Sequence, residues 1–178
     1  SLKDPNSERC TRICSSLLAE LDRKDLEYSR KAYRCYQLLF DSCKHTGKLT
    51  DAKTFLEKAI HLSKRVAPRG REGWERVDLI NGASVLYTDL FEFRKAENAC
   101  KRTRQLLRRS PKGTVDKSML ALSLSRQGQL YLMWRKLNKA LVFLKKSNQL
   151  YFSPADRARN FCFFIEVYAL QSNRQKAD

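Results

Sequence analysis

The sequence predicts an all-α protein, a superhelix (α-solenoid) of about eight helices arranged as hairpins. Three observations lead there. Small residues recur at one spacing, with Ala52, Ala96 and Ala140 each 44 residues apart. Prolines recur almost in step, with Pro68, Pro111 and Pro154 each 43 apart. Between these markers, apolar residues follow the three- and four-residue spacing of a helix face. Proline cannot continue a helix interior, so each one marks a junction between helices. The composition agrees, because 178 residues hold only four prolines and six glycines.

The opening segment, about Pro5 to Leu21, sets Cys10, Ile13, Cys14, Leu17, Leu18 and Leu21 on one face. Asp4 before Pro5 supplies a capping side chain ahead of a proline at the first helical position. Asp25 to His45 follows, with Leu26, Ala32, Tyr33, Tyr36, Leu39, Phe40 and Cys43 at helical spacing, and Thr46-Gly47-Lys48 breaks it. Thr50 to Lys64 resumes with Ala52, Phe55, Leu56, Ala59 and Ile60. The next pairs are Glu72–Leu90 with Glu92–Arg109, and Val115–Trp134 with Lys136–Leu150. Ser153-Pro154 caps a last helix.

This gives one domain over 1–178: a half repeat at 1–22, hairpins at 24–66, 71–110 and 114–151, and a half repeat at 154–178. The abrupt start and end lead us to expect a fragment of a longer array. Each hairpin leaves an apolar face that only a stacked neighbour buries.

Three sets of residues resemble the tetratricopeptide repeat. The first is Tyr36, Leu39, Cys43, Gly47, Leu49, Ala52, Leu56 and Ala59. The second is Ile80, Ala83, Tyr87, Phe93, Ala96 and Cys100. The third is Leu124, Gly128, Tyr131, Leu137, Ala140 and Leu144. The period is about ten residues longer than that family's. Glycine is missing from the second and third turns, and Thr103 and Ser147 stand where the motif has alanine. The resemblance implies a right-handed superhelix whose first helices line a concave groove.

By that resemblance the partner-binding groove comprises Arg34, Gln37, Asp41, Lys44, Asp78, Asn81, Val85, Ser125, Arg126 and Gln129, with Thr88, Asp89, Leu122 and Met133 beside them. Gln37 and Asp41 occupy places where a carboxylate clamp needs Lys and Asn, which disfavours a chaperone-tail ligand. The mixed lining suits an extended or helical segment of a protein partner.

Charge marks a second candidate. The chain carries 36 basic and 19 acidic residues, for a net charge of +17. From Arg94 to Lys146, fifteen basic residues face two acids, Glu97 and Asp116. A solvated helix face ordinarily mixes both signs. With Ala96, Cys100, Thr103 and Leu107 turned inward, Arg94, Lys101, Arg102, Arg104, Arg108 and Arg109 form a basic surface, joined by Lys145 and Lys146. Such a stripe attracts anionic matter: an acidic protein segment, an acidic stretch of the same parent chain, or nucleic acid.

Chemistry is sparse. Only two histidines occur, His45 and His61, and no HExxH, phosphate-cradling glycine loop or nucleophile triad is present. Cys10 and Cys14 have ligand spacing, but they fall on the apolar stripe. The six cysteines read as reduced core residues of an intracellular protein, nuclear or cytoplasmic. No signal peptide and no membrane-length apolar run appears.

The expectation is a non-catalytic protein–protein interaction scaffold without cofactor, metal, small-molecule substrate or membrane. Its alternatives are an RNA- or DNA-binding helical repeat and an architectural segment of a large assembly.

Overall fold

The computed structural model describes residues 5–20, 26–66, 72–109, 117–150 and 154–175, and among them every regular element is α-helical. Eight helices run in order: α1 (Pro5–Glu20), α2 (Leu26–His45), α3 (Leu49–Val66), α4 (Glu72–Asp89), α5 (Phe93–Arg109), α6 (Lys117–Met133), α7 (Leu137–Asn148) and α8 (Pro154–Gln175). Pro154 opens α8 as expected. Asp4, Pro68, Pro111, Val115 and Ser153 lie outside the described residues. The chain forms two compact units, Ser1–Leu86 and Tyr87–Asp178, which divide within α4.

Three turns share one geometry at a 44-residue interval. Gly47, Phe91 and Arg135 take left-handed backbone angles, with φ of 73°, 58° and 58°. The next residue closes a wide loop back over each turn. The Lys48 amide donates to the Cys43 carbonyl, Glu92 to Tyr87 and Lys136 to Tyr131, each at 2.8 Å. The left-handed residue itself donates three residues back, to Lys44, Thr88 and Leu132 respectively. This pair of bonds satisfies carbonyls that a helix end otherwise leaves orphaned. It also explains why α5 and α7 start one residue later than the sequence pattern suggests, since Glu92 and Lys136 belong to the turn.

Beyond the turns at Gly47 and Arg135 the second helix lies hard against the first, α3 on α2 and α7 on α6. Ala52, Leu56 and Ala59 on α3, Ala96, Cys100 and Thr103 on α5, and Ala140, Leu144 and Ser147 on α7 all have 0% exposure. Small residues there let the helix axes approach closely. In the second unit the approach is tight at Gly128, where an added Cβ would stand 2.6 Å from Leu144 Cγ. Ser147 Oγ donates to the Ala121 carbonyl at 2.8 Å, tying α7 to α6. Asn160 on α8 is fully buried, and its amide donates to the Leu144 carbonyl at 3.0 Å. In the first unit α2 packs chiefly on α3, α1 covers α2, and Phe40 fits over Gly82 of α4.

Two expectations about the core need correction. Cys162 was expected inside, but α8 turns it to solvent. Ile13 and Leu17 were placed on the buried face of α1, but they are 50% and 44% exposed. The face of α1 centred on Cys14 meets α2, and these two side chains lie at its edge.

Thr103 and Ser147 hold the same repeat position with opposite consequences. The Thr103 hydroxyl is buried with no hydrogen-bond partner among the described residues, whereas Ser147 is satisfied. Thr103→Val should therefore stabilise the fold by about 1 kcal/mol, and Ser147→Ala should cost about 1 kcal/mol, as read by urea denaturation. Arg135→Gly should add about 1 kcal/mol by removing left-handed strain, visible as a melting point raised by a few degrees.

Candidate interaction surfaces

The expected groove residues are divided by the fold. Arg34, Gln37, Asp41, Lys44, Asp78, Asn81 and Val85 belong to the first unit, and Ser125, Arg126 and Gln129 to the second. Arg34, Asp41 and Asp78 are exposed; Gln37, Lys44, Val85, Arg126 and Gln129 are half-buried. Of the residues beside them, Asp89 and Met133 are exposed, Leu122 is half-buried and Thr88 is buried.

Two assignments fail. Asn81 has 0% exposure, and neither amide atom has a hydrogen-bond partner among the described residues. Ser125 is buried and donates to Asn160 Oδ1 at 3.1 Å. Both positions face the packed interior, as their neighbours Ile80 and Leu124 do, so neither can receive a partner's side chain. Asp41 and Asp78 do come together. Desolvation pushes the Asp41 carboxyl up, Lys44 opposes this, and the nearby Asp78 charge adds to it.

On α5 the division of faces is sharp. Arg94, Lys101 and Arg108 are exposed opposite Ala96, Cys100, Thr103 and Leu107, while Arg102 is half-buried. Lys145 and Lys146 are exposed at the end of α7. The side chain of Arg109 lies outside the described residues.

Arg104 does not belong to this outer stripe. It follows Thr103 at the border of the buried face and turns inward, where its Nη1 donates to Gln127 Oε1. The guanidinium also lies 5.3 Å from the Phe143 ring centroid. Burial lowers its pKa.

Gln127 extends a polar chain across α5 and α6. Its Nε2 donates to the Tyr131 hydroxyl at 3.4 Å, and that hydroxyl donates to Glu97 Oε1 at 2.6 Å. The Lys101 ammonium sits 3.3 Å from the same carboxylate oxygen. The Tyr131 hydrogen bond holds the Glu97 carboxyl below its ordinary pKa, and burial raises the Tyr131 phenol. Sequence reading missed this network because glutamine and tyrosine at helical spacing carry no sign that they meet a carboxylate on another helix.

Aromatic rings pack alongside it. Phe93 stacks on Trp134 with centroids 5.5 Å apart, and Trp134 stacks on Tyr131 at 6.2 Å. Tyr131 leans on Phe143 at 5.4 Å. Lysines cover further ring faces, Lys136 over Trp134 and Lys139 over Tyr131. Cations over such faces are held by the ring quadrupole.

A third surface lies between α1 and α2. Cys10, Cys14 and Cys35 pack with Leu39 and Leu18. The Cys14 thiol is pushed up to about 12, first by burial and then by its cysteine neighbours, so it stays protonated and acts as a small apolar group. Among the described residues no group of His, Cys, Asp and Glu is placed to hold a metal ion. Over this cluster opens a groove of about 840 Å³, with Ile13, Leu17 and Leu38 along it. Arg9, Arg30, Lys31 and Arg34 also border it, and its wall is almost wholly apolar. Only Arg34 was singled out from sequence. The spacing 9, 13, 17 on α1 and 30, 34, 38 on α2 was the available signal.

Fold and surfaces together define an all-helical, repeat-like protein whose described helices include none long and apolar enough to cross a membrane. No family model and no curated protein matches the chain. Among solved structures it is similar to the crystal structure of BtubC (BKLC) from P. vanneervenii, at 18% identity and a TM-score of 0.75, over 97% of this chain and 69% of that one. At that identity the likeness is one of fold.

Removing the Tyr131 hydroxyl isolates the network. Tyr131→Phe should cost about 1.5–3 kcal/mol at neutral pH, since it removes a hydrogen bond to a charged group. Because Glu97 titrates below its unfolded value, its contribution is present above the ordinary carboxylate range and lost as pH falls through the folded pKa. The penalty should therefore shrink on acidification, measured as urea midpoints of both proteins across that range.

Proposed function

We propose that this chain is a non-catalytic, tetratricopeptide-like interaction scaffold of the cell interior, nuclear or cytoplasmic, which takes an acidic protein segment on the basic face of its second unit. The observation that carries this reading is the imbalance on α5 and α7. Arg94, Arg108, Lys145 and Lys146 are exposed, while of the two acids in that stretch Glu97 is engaged by Tyr131 and Lys101, and Asp116 lies outside the described residues. Clustered like charges repel unless an anionic surface covers them.

The aromatic packing favours protein over nucleic acid. Single-strand recognition uses ring faces on which bases stack. Here Trp134 is flanked by Phe93, Tyr131 and Lys136, and Tyr131 by Trp134, Phe143 and Lys139.

The test is fluorescence anisotropy with a labelled acidic peptide and a labelled single-stranded RNA at ~150 mM salt, where distant surface charges are screened. The peptide should bind, and reversing Arg94, Arg108, Lys145 and Lys146 to Glu should weaken it at least about tenfold. RNA that binds more tightly than the peptide at this salt would favour the nucleic-acid alternative. Indifference of both probes to the reversals would leave an architectural role.

A further inference from the structure

The last helix repeats the side chains that α6 buries, but turns them to solvent. Ile165, Tyr168 and Ser172 stand 44 residues after Ala121, Leu124 and Gly128. On α6 all three places are buried. On α8 Ile165 and Tyr168 are 69% and 50% exposed, and Ser172 is exposed with them. Phe161 extends the line and leans on Phe164, with ring centroids 6.2 Å apart. Spacings of four, three and four keep these side chains on one face of the helix. The other face of α8 is already packed. Asn160 and Val167 are fully buried there, and Phe163, Phe164 and Leu170 meet the cluster of Tyr131, Ala140 and Leu144.

Contacts within the second unit show what closes such a face. Leu144 of α7 lies where a Cβ on Gly128 would stand, and Ser147 of α7 donates to the Ala121 carbonyl. The cover on α6 is thus a helix with Ala140, Leu144 and Ser147 on its inner side, all at 0% exposure. In the first unit α3 packs on α2 with Ala52, Leu56 and Ala59 in the same register. On α8, Ile165 is larger than Ala121 and Ser172 larger than Gly128. A helix laid there stands farther out along its whole length, within the ~8–10 Å between axes that side-chain size sets.

Charge plays little part at this face. Between Asn160 and Ser172 the only charged side chain is Glu166, although the chain carries +17. A second copy of the chain does not supply the cover. Its α3, α5 and α7 have their small residues fully buried. The outer face of α1 at the matching phase holds Glu8 and Arg12, 44 residues before Ala52 and Leu56.

We propose that the outer face of α8 is a docking site for one helix of a partner protein. That helix carries alanine, leucine and serine at the spacing of 140, 144 and 147, and packs on α8 as α7 packs on α6. The face is separate from the basic stretch of α5 and α7, so either reading can fail alone.

The probe is a stapled helical peptide of about 15 residues with the alanine, leucine and serine pattern of α7 and no net charge. Its counterpart has aspartate in place of the leucine. Titrated against the full chain by anisotropy, the first peptide should bind at least about tenfold more tightly than the second. Ile165→Glu and Tyr168→Glu should each weaken it at least about tenfold. Both side chains are exposed, so circular dichroism and melting should be unchanged. Raising salt from ~50 to ~500 mM should leave the affinity within about twofold, as should charge reversal at Arg94, Arg108, Lys145 and Lys146. Bound peptide should also slow alkylation of Cys162, which is exposed beside Ile165.

Equal binding of the two peptides, or binding indifferent to Ile165→Glu and Tyr168→Glu, would overturn the proposal. So would a dimer in sedimentation that Ile165→Glu dissolves, or binding to phosphatidylserine vesicles with none to the peptide.

Discussion

The α2–α3 and α6–α7 hairpins depend on a second helix lying close against the first, and a left-handed residue at the turn makes that possible. Gly47 adopts this backbone freely, whereas Phe91 and Arg135 accept strain to do so. The reward lies five residues on, where Ala52 and Ala140 carry no side chain large enough to hold the helices apart, and Ala96, at the matching place on α5, is as fully buried. Turn and small residue keep a common 44-residue register, and the burial of the second helices follows from it. Where that register reaches α8, Ile165 and Tyr168 occupy the places of Ala121 and Leu124, which α6 buries; on α8 they face solvent.

Close packing sets what is left for binding. The fold draws Arg104, Gln127, Tyr131 and Glu97 into one chain of hydrogen bonds between α5 and α6. This uses one of the few acids near the basic stretch for internal cohesion and leaves the outer cations of α5 and α7 in excess. The rings of Phe93, Trp134, Tyr131 and Phe143 are packed on one another, and lysines cover Trp134 and Tyr131, while Phe91, Phe161 and Tyr168 stay exposed. The first unit follows another plan, in which exposed apolar side chains of α1 and α2 stand over a cluster of cysteines.

Much of the fold was legible because its signals are periodic. The alanines, the prolines and the three- and four-residue spacing located all eight helices to within a few residues, since burial of a helical stripe repeats wherever helices pair. The sites were less legible. Asn81 and Ser125 were placed on an open face because helix phase alone does not say which neighbour covers a polar side chain. Arg104 sits one residue past a buried threonine, and only the meeting with Gln127 turns it inward. The groove on α1 escaped notice for the converse reason: Ile13 and Leu17 have core spacing, and exposure depends on a neighbouring helix that sequence spacing does not locate.

The central claim is that binding to this scaffold is local to surfaces shaped by the fold, and not a general effect of net charge. A zero-length carboxyl–amine crosslinker, applied to the chain with the acidic peptide and read by mass spectrometry, reports which lysines the peptide touches. The account predicts crosslinks concentrated at Lys101, Lys145 and Lys146 of the second unit, all exposed beside the unbalanced stretch. Crosslinks spread evenly, reaching Lys58 and Lys64 on α3 as often, would contradict it.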